Sequence, residues 1–399
     1  MGAASGAHGS LHRHMPGTIV IGGSLAQKPA RGGHTWVLLQ YLLGFRRLGW
    51  DVLLLDRLEP YMCHDAAGRG CSLHESVNLR YLQSVMARFG LDGNFSVSYD
   101  HGREVVGLGR EEVLSRTKNS PFLLNIMGFV DDDEILAEAP RRVFLDIDPG
   151  FGQIWSDLGL HDPFDGHDEF VTIGENVGRH FCKVPTCGRE WITTPQPVML
   201  DEWPASAPAG DRFTTIGAWR GSYGTLEHRG RKYGQRVHEF RRFLEMPSLT
   251  RQEFEVALDI HPDETGDLAR LADNGWRLVD PKVVAADPIA YRSYIQGSKA
   301  EFMVAKNMYV EARSGWLSDR SLCYLASGRP VVAQDTGLDG LYALGEGLLT
   351  FTTVEEARAA VEDVCRDYGR HARAARALAE DCFDSSKVLQ RLLDKLAVA

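Results

Sequence analysis

Short apolar runs alternate with stretches of helical periodicity in the N-terminal half of the chain. Residues 18–21 (TIVI) are rich in β-branched side chains and run into Gly22 and Gly23, which is typical of a buried parallel strand that opens into a loop. Apolar side chains then recur every three or four positions over residues 34–48, as they do in a helix. Residues 50–56 (WDVLLLD) return to the composition of a strand. This order predicts a strand-helix-strand unit with a right-handed crossover.

The same alternation continues to about residue 173. The sequence predicts a helix over residues 75–89 and strands over residues 121–126, 141–148 and 169–173. The N-terminal half is therefore predicted to be an α/β unit with a largely parallel sheet.

A second α/β unit is predicted beyond residues 201–210 (DEWPASAPAG), which have the Pro, Ala and Gly content of an interdomain linker. The predicted strands are residues 213–216, 254–260, 276–279, 300–305 and 330–333, and the predicted helices are residues 235–244, 265–274, 291–297 and 319–326, with a last helical tract from residue 355 onward. The predicted fold class is α/β, with two Rossmann-like domains that face each other across a cleft.

This pattern divides the chain into four predicted segments. Residues 1–16 form a disordered lead, residues 17–205 the N-terminal domain, and residues 211–375 the C-terminal domain. Residues 376–399 form a last helix that packs back on the N-terminal domain. A chain of 399 residues is long enough for two domains that each bury a core.

Charge and cysteine content indicate which ligands and metal ions the chain can bind. The net charge of -10 argues against broad electrostatic binding to nucleic acid, so any anionic ligand must be held locally. No apolar stretch approaches the ~20 residues of a membrane span, and no signal peptide is visible, which predicts a cytoplasmic protein. Cys182 and Cys187 lie near His180, but no second pair with zinc-ligand spacing follows, so no metal site is expected.

The segment that carries most information about chemistry surrounds the predicted helix over residues 319–326. Ser318 or Asp319 is a good N-cap, so the free N–H groups and the positive dipole of the first turn face the loop before the helix. Phosphate binds well at such a helix end, and Arg320 can add paired hydrogen bonds to phosphate oxygens. Taken alone, the same pattern also fits an ordinary capped helix with a surface arginine.

The order of motifs over residues 298–337 resembles the C-terminal domain of the GT-B glycosyltransferases. GSKAEF, GWLSDRS and LASGRPVV follow one another there, as in the group 1-like bacterial glycosyltransferases, whose nucleotide-sugar site has a helix followed by Ala-x-Gly-x-Pro-Val-Val. The commonest branch of that group has two glutamates eight positions apart, where this sequence has Gly315 and Cys323. The chain therefore resembles a divergent branch in which Ser318, Asp319 and Arg320 take over part of the donor site.

The resemblance implies a donor site in the C-terminal domain and an acceptor site in the N-terminal domain. The nucleotide base is then expected near Val279, Pro281, Val284 and His261. Further candidates for phosphate contacts are Ser298, Lys299, Lys232 in the basic loop over residues 229–234, and the glycines Gly22, Gly23 and Gly33. The basic loop is equally compatible with a plain surface loop.

His34 begins the first predicted helix and is a candidate general base for the acceptor hydroxyl, because the pKa of free imidazole lies near neutrality. A capping or core histidine is the alternative. Asp148 and Glu175 follow predicted strands and are further candidates for catalysis. Asp146 and Asp148 could also form the metal-binding Asp-x-Asp of the GT-A architecture, but two successive α/β halves favour GT-B, which needs no metal.

The sequence therefore predicts a metal-independent glycosyltransferase that moves a sugar from a nucleotide-sugar to a small-molecule acceptor. No cofactor is expected beyond the nucleotide-sugar as co-substrate, and the predicted partners include no nucleic acid. Three alternatives stay open: a nucleotide-sugar epimerase of GT-B architecture, a sugar phosphorylase, and a non-catalytic protein that binds a sugar or a nucleotide. The sugar, the base, the stereochemical outcome and the oligomeric state are left open.

Overall fold

Each half of the chain forms its own parallel sheet in the computed structural model, which describes residues 17–207, 210–221 and 223–398. The predicted α/β architecture is confirmed. The lead predicted over residues 1–16 lies outside the described residues, as do residues 208–209 of the predicted linker.

Among the described residues, the N-terminal half contains eight strands and five α-helices. The strands are β1 (Thr18–Gly22), β2 (Asp51–Leu58), β3 (Phe95–Tyr99), β4 (Glu104–Gly107), β5 (Leu123–Ile126), β6 (Arg142–Asp146), β7 (Glu169–Thr172) and β8 (Trp191–Thr193). The helices are α1 (Gly32–Arg47), α2 (Val77–Arg88), α3 (Arg110–Lys118), α4 (Asp133–Glu138) and α5 (Phe151–Asp157). The strands pair in the order β4-β3-β2-β1-β5-β6-β7-β8, and β4 alone is antiparallel to its neighbour.

The described part of the C-terminal half contains a sheet, a hairpin and ten α-helices. Its strands are β9 (Arg212–Ala218), β10 (Leu226–His228), β11 (Arg231–Tyr233), β12 (Glu253–Asp259), β13 (Trp276–Val279), β14 (Ala300–Met303), β15 (Val331–Gln334) and β16 (Leu348–Phe351). Its helices are α6 (Arg236–Phe240), α7 (Met246–Leu249), α8 (Thr265–Asp273), α9 (Pro281–Val284), α10 (Pro288–Gly297), α11 (Asn307–Ala312), α12 (Asp319–Ala326), α13 (Val354–Arg366), α14 (Tyr368–Leu378) and α15 (Ser385–Lys395). The parallel sheet has the order β13-β12-β9-β14-β15-β16.

Helix α1 lies between the two halves, which explains why its sequence is apolar almost all round. Its residues from Thr35 to Phe45 are buried, because α1 contacts β2 on one side and α10 and α15 on others. Gly44 makes the crossing with α15 possible, since a Cβ there would lie 2.4 Å from Leu389 Cδ1. The last helix of the chain is thereby held against the N-terminal half.

Two segments differ from the sequence-based prediction. The basic loop over residues 229–234 belongs to the hairpin β10–β11. Arg229 (φ 51°) and Gly230 (φ 71°) form its two-residue turn, with both residues in the left-handed region. The strand predicted over residues 141–148 ends at Asp146, because the Asp146 carboxylate accepts the Asp148 N–H and bends the chain there. Among the described residues, no helix is long and apolar enough to cross a bilayer.

Candidate active site

A cleft of about 600 Å³ separates the two sheets at the carboxyl ends of their parallel strands. Loops after β1 and β6 form one wall, and loops after β9, β12, β13 and β14, together with the start of α12, form the other. The charged side chains that line it are Arg31, Lys282, Lys306, Arg320, Asp259 and Asp319. This lining has four cationic groups and two acidic groups, so the cleft is locally positive although the whole chain is acidic.

Helix α12 begins at the cleft as the sequence predicts. The Ser318 hydroxyl caps the helix by accepting the Arg320 N–H at 3.3 Å, and Ser318 itself is buried behind the lining. Asp319 and Arg320 follow in the first turn and line the cleft. Burial raises the pKa of Asp319, although the neighbouring Arg320 charge opposes this shift. The positive end of the α12 dipole therefore faces the cleft beside an acid whose pKa is raised by burial.

Arg320 is less available for phosphate than the sequence suggests. Its Nε donates to Glu301 Oε1 at 2.5 Å, and one terminal nitrogen donates to the Ile216 carbonyl at 2.5 Å. Glu301 is fully buried in β14, so this ion pair holds the guanidinium in place. The second terminal nitrogen is buried and has no hydrogen-bond partner within the described part of the chain. The guanidinium thus already makes hydrogen bonds within the protein, in place of the paired bonds predicted for phosphate. One terminal nitrogen remains without a partner in the described chain.

Arg236 is a cation beside the cleft that sequence reasoning missed. It is the first residue of α6, and its guanidinium lies so close to Gly217 of the cleft wall that a Cβ there would be 1.6 Å from Nη1. Burial, followed by the Arg320 charge, lowers the pKa of Arg236 to about 10. Its Nε has no hydrogen-bond partner among the described residues. A cation at a helix N-terminus opposes the helix dipole, and this unfavourable placement was the available sequence signal.

His34 lies in the first turn of α1 and lines the cleft. Its Nε2 is 3.0 Å from the Ser24 hydroxyl. Burial, with a contribution from the Lys28 charge, lowers the pKa of His34 to about 3, so the imidazole is neutral near pH 7. The lowered pKa makes the ring a weak base, and an anionic ligand nearby would increase its basicity.

The glycines after β1 have two different environments. Gly22 and Gly23 are close-packed, because a Cβ on them would lie 2.5 Å from Val130 Cγ2 and 2.8 Å from Leu38 Cδ2, respectively. Neither lines the cleft, so the phosphate contacts predicted for them are not seen in the geometry. Gly33 does line it, and a Cβ there would lie 3.0 Å from the Tyr291 ring of the opposite wall.

Three other candidates for phosphate contacts lie away from the cleft. Ser298 and Lys299 precede β14 and so lie at the opposite end of the sheet from the cleft, where Lys299 Nζ pairs with Asp211 at 3.0 Å. The Ser298 hydroxyl is buried and donates to the Tyr294 carbonyl at 2.8 Å. Lys232 is exposed on β11. Parallel strands place only the loops that follow them at the cleft, which excludes residues that precede a strand.

Of the four residues predicted to contact the nucleotide base, one lines the cleft. Pro281 lines it, at the start of α9. Val279 and Val284 are not in the lining, and His261 is 71% exposed, with Nδ1 accepting the Asp263 N–H at 3.2 Å.

Asp148 lies in the N-terminal half, and its carboxylate forms hydrogen bonds with side chains of the C-terminal half. One carboxylate oxygen accepts from Lys306 Nζ at 2.6 Å and the other from the Tyr309 hydroxyl at 2.5 Å. Asp146 is fully buried and accepts from Gln153 at 2.6 Å, so the two aspartates do not present a metal site together. Asp148 thus holds the halves together at the back of the cleft.

Glu175 also crosses between the halves and does not line the cleft. Its carboxylate accepts a hydrogen bond from the Tyr342 hydroxyl. Burial raises the pKa of Glu175 to about 7, although Lys395, Arg391 and Arg179 oppose this shift. This position contradicts a catalytic placement in the cleft and assigns Glu175 to the contact between the halves.

One group of three metal-ligating side chains was found in the described part of the chain: Glu59, Asp100 and His101. Glu59 and His101 line a separate cavity at the edge of the N-terminal sheet. Cys182 and Cys187 are free thiols and do not belong to such a group.

Comparison with known proteins gives a result only at the level of structure. No protein-family model matches the sequence, and a search of curated proteins finds no relative. Several solved structures match nearly the whole chain. An alpha-glucosyltransferase in complex with UDP-glucose and DNA containing an abasic site has a TM-score of 0.55, is 12% identical, and is matched over 95% of this chain and 98% of that chain.

The Anabaena protein HepE in complex with UDP and glucose has a TM-score of 0.52 at 11% identity, over 97% of this chain and 100% of that chain. A glycosyltransferase from Rickettsia africae ESF-5 has a TM-score of 0.50 at 9% identity, over 95% and 97% of the two chains. The chain therefore has the GT-B fold. The resemblance drawn from residues 298–337 is confirmed at the level of the fold.

The same comparison corrects the prediction that the partners include no nucleic acid. That prediction rested on a net charge of -10. It is wrong, because alpha-glucosyltransferases of this fold are seen in complex with UDP and DNA. Net charge averages over the whole chain, whereas a binding surface depends on local charge, as the positive cleft illustrates.

The raised pKa of Glu175 predicts how stability depends on pH. Between the unfolded pKa near 4.5 and the folded pKa of about 7, unfolding releases a proton, so the free energy of unfolding falls as pH rises. Glu175→Gln keeps an acceptor for Tyr342 and removes this titration. We expect the variant to match the wild type near pH 4 and to exceed it at pH 8 by up to ~3 kcal/mol, measured by urea unfolding. A constant difference over this range would contradict the assignment.

Proposed function

We propose that the chain is a glycosyltransferase that binds a nucleotide-sugar in the cleft and transfers the sugar to a hydroxyl presented from the N-terminal half. The observation that carries this proposal is the cleft lining. A helix N-terminus and several cations meet at the carboxyl ends of two sheets, in a fold whose known examples bind UDP together with glucose or as UDP-glucose.

Transfer requires the nucleoside diphosphate to leave as an anion, so the site must stabilise developing negative charge. The start of α12, the remaining terminal nitrogen of Arg320 and the buried Arg236 supply that stabilisation. Arg236 is the strongest of the three, because its Nη1 donates only to the Ile216 carbonyl, at 3.4 Å, and its Nε has no partner among the described residues. A charged hydrogen bond in such surroundings is worth about 1.5–3 kcal/mol.

Asp319 suits the sugar of the donor. It shares the first turn of α12 with Arg320 and lines the cleft, and burial raises its pKa. Carboxyl oxygens accept hydrogen bonds from the hydroxyl groups of a sugar, so Asp319 can orient the sugar in the cleft.

His34 faces this donor region from the opposite wall and is the proposed general base. A neutral imidazole at the first turn of α1 can take the proton of the acceptor hydroxyl as that hydroxyl attacks the sugar. The leaving diphosphate lies across the gap, and its charge favours the imidazolium that forms.

Nucleotide binding tests the proposed donor site. Isothermal titration calorimetry should show UDP binding to the wild type, and Arg236→Gln should weaken UDP binding by about 10-fold or more while leaving uridine binding unchanged, because the lost contact is to phosphate. Arg358→Gln removes the same charge from the surface of α13 and is the matched control. Equal losses for UDP and uridine would place Arg236 away from the phosphates.

Metal independence is a second expected outcome, since protein cations neutralise the diphosphate in this proposal. The dissociation constant of UDP should agree within about twofold in EDTA and in manganese, since each protein cation supplies a contact of the ~1.5–3 kcal/mol kind without metal. A loss of binding in EDTA that manganese restores would refute this part of the proposal.

The role of His34 is tested by turnover of UDP-glucose with a panel of acceptors that includes duplex DNA. His34→Ala and His34→Gln should each lower kcat by roughly 10²–10⁴-fold with little change in UDP affinity, because Gln retains hydrogen bonding but cannot take the proton. A decrease of less than about tenfold in both variants would assign His34 a structural role. Turnover without any acceptor would instead favour an epimerase.

A further inference from the structure

A second cavity, of about 590 Å³, adjoins the cleft on the side of the N-terminal half. Its lining residues all come from the segment after β1 and from the loop after β2: Gln27, Lys28, Pro29, Arg31, His34 and His64. Pro29, Arg31 and His34 also line the cleft, so the two cavities meet at the His34 side chain. The lining contains two cations and two imidazoles and no acid.

Lys28 is the unusual member of this lining. Its side chain is partly buried and makes no hydrogen bond or ion pair with any described residue. Its Nζ lies 4.8 Å from the centroid of the Phe129 ring. Burial, followed by the Arg31 charge, lowers the pKa of Lys28. The ammonium group thus lines the cavity without an ion-pair partner among the described residues.

The acids nearest Lys28, Asp56 and Asp148, form hydrogen bonds with other groups. Asp56 accepts the Ala26 N–H at 2.6 Å and a Gln27 side-chain N–H at 3.1 Å, and burial raises its pKa to about 7. Asp148 is held by Lys306 and the Tyr309 hydroxyl. The remaining charged neighbours of Lys28, Arg31 and Lys306, are cations. Asp148 and Asp56 act on Lys28 only through space, and no described acid forms an ion pair with its ammonium group.

Cations that line a cavity without an acid attract anions, so this lining points to a ligand that supplies negative charge. The Arg31 guanidinium beside Lys28 adds planar donors, and His64 adds a further ring nitrogen at the same cavity. Several donors around one ammonium suit a group with several anionic oxygens better than a single carboxylate.

We propose that this second cavity binds a phosphate ester carried by the acceptor, with Lys28 as its counter-ion. The inference rests on the proposed function, because it places the acceptor hydroxyl at His34, where the two cavities meet. The donor phosphates have their own cations on the opposite wall, and Lys28 is not in the lining of the cleft. The acceptor class is thereby a phosphate-bearing molecule.

Calorimetry on the UDP-saturated protein tests this proposal, because UDP fills the donor site first. Inorganic phosphate and glucose 6-phosphate should bind to the wild type, and glucose should not. Lys28→Met should weaken phosphate-ester binding by at least tenfold and leave the UDP dissociation constant unchanged. Lys118→Met, which removes a 69% exposed lysine at the end of α3, should behave like the wild type.

Two further measurements separate the possible outcomes. Without ligand, Lys28→Met should have a Tm equal to or above that of the wild type, since it removes an unpaired charge; Lys28→Gln serves as the second variant if Met is not tolerated. Replacing glucose 6-phosphate by a short DNA duplex distinguishes a phosphomonoester from a phosphodiester source. The proposal would be overturned if the wild type did not bind the phosphate ester, or if both Lys28 variants bound it as tightly as the wild type does. Failure of UDP binding would instead count against the proposed function.

Discussion

Asn176 connects the N-terminal half to the loop before α12, and the position of the α12 N-terminus at the cleft depends on this contact. The Asn176 side chain donates to the carbonyls of Arg313 and Gly337, at 3.1 and 2.7 Å, and its backbone N–H donates to the Ser314 carbonyl at 3.0 Å. Gly315 and Gly337 both have positive φ, and a Cβ on either would lie within 2.9 Å of Asn176. The loop that leads into α12 is therefore fixed against the N-terminal half.

The cleft shows how local charge can oppose the charge of the whole chain. Two of its cations have close acidic partners, Asp148 for Lys306 and Glu301 for Arg320. Arg236 and Lys28, which lie outside the cleft lining, have no acidic partner among the described residues. Paired cations give the cleft its shape, whereas cations without an acidic partner favour the binding of anions.

The sequence predicts what depends on local pattern and misses what depends on contacts between distant segments. Helix α12, its Ser318 cap and the alternation of strands and helices follow from spacing alone. The Glu301 partner of Arg320 lies 19 positions away, and no periodicity indicates that it takes up the guanidinium. Lys299 is predicted to contact phosphate, but it precedes its strand and so lies at the end of the sheet opposite the cleft.

A crystal structure of the chain with UDP tests the central claim most directly. The account predicts that the diphosphate lies at the start of α12, with an oxygen within hydrogen-bond distance of the Arg236 guanidinium and with the Lys28 cavity unfilled by the nucleotide. A diphosphate bound at Lys28, or a nucleotide outside the cleft altogether, would contradict the assignment of donor and acceptor to the two walls.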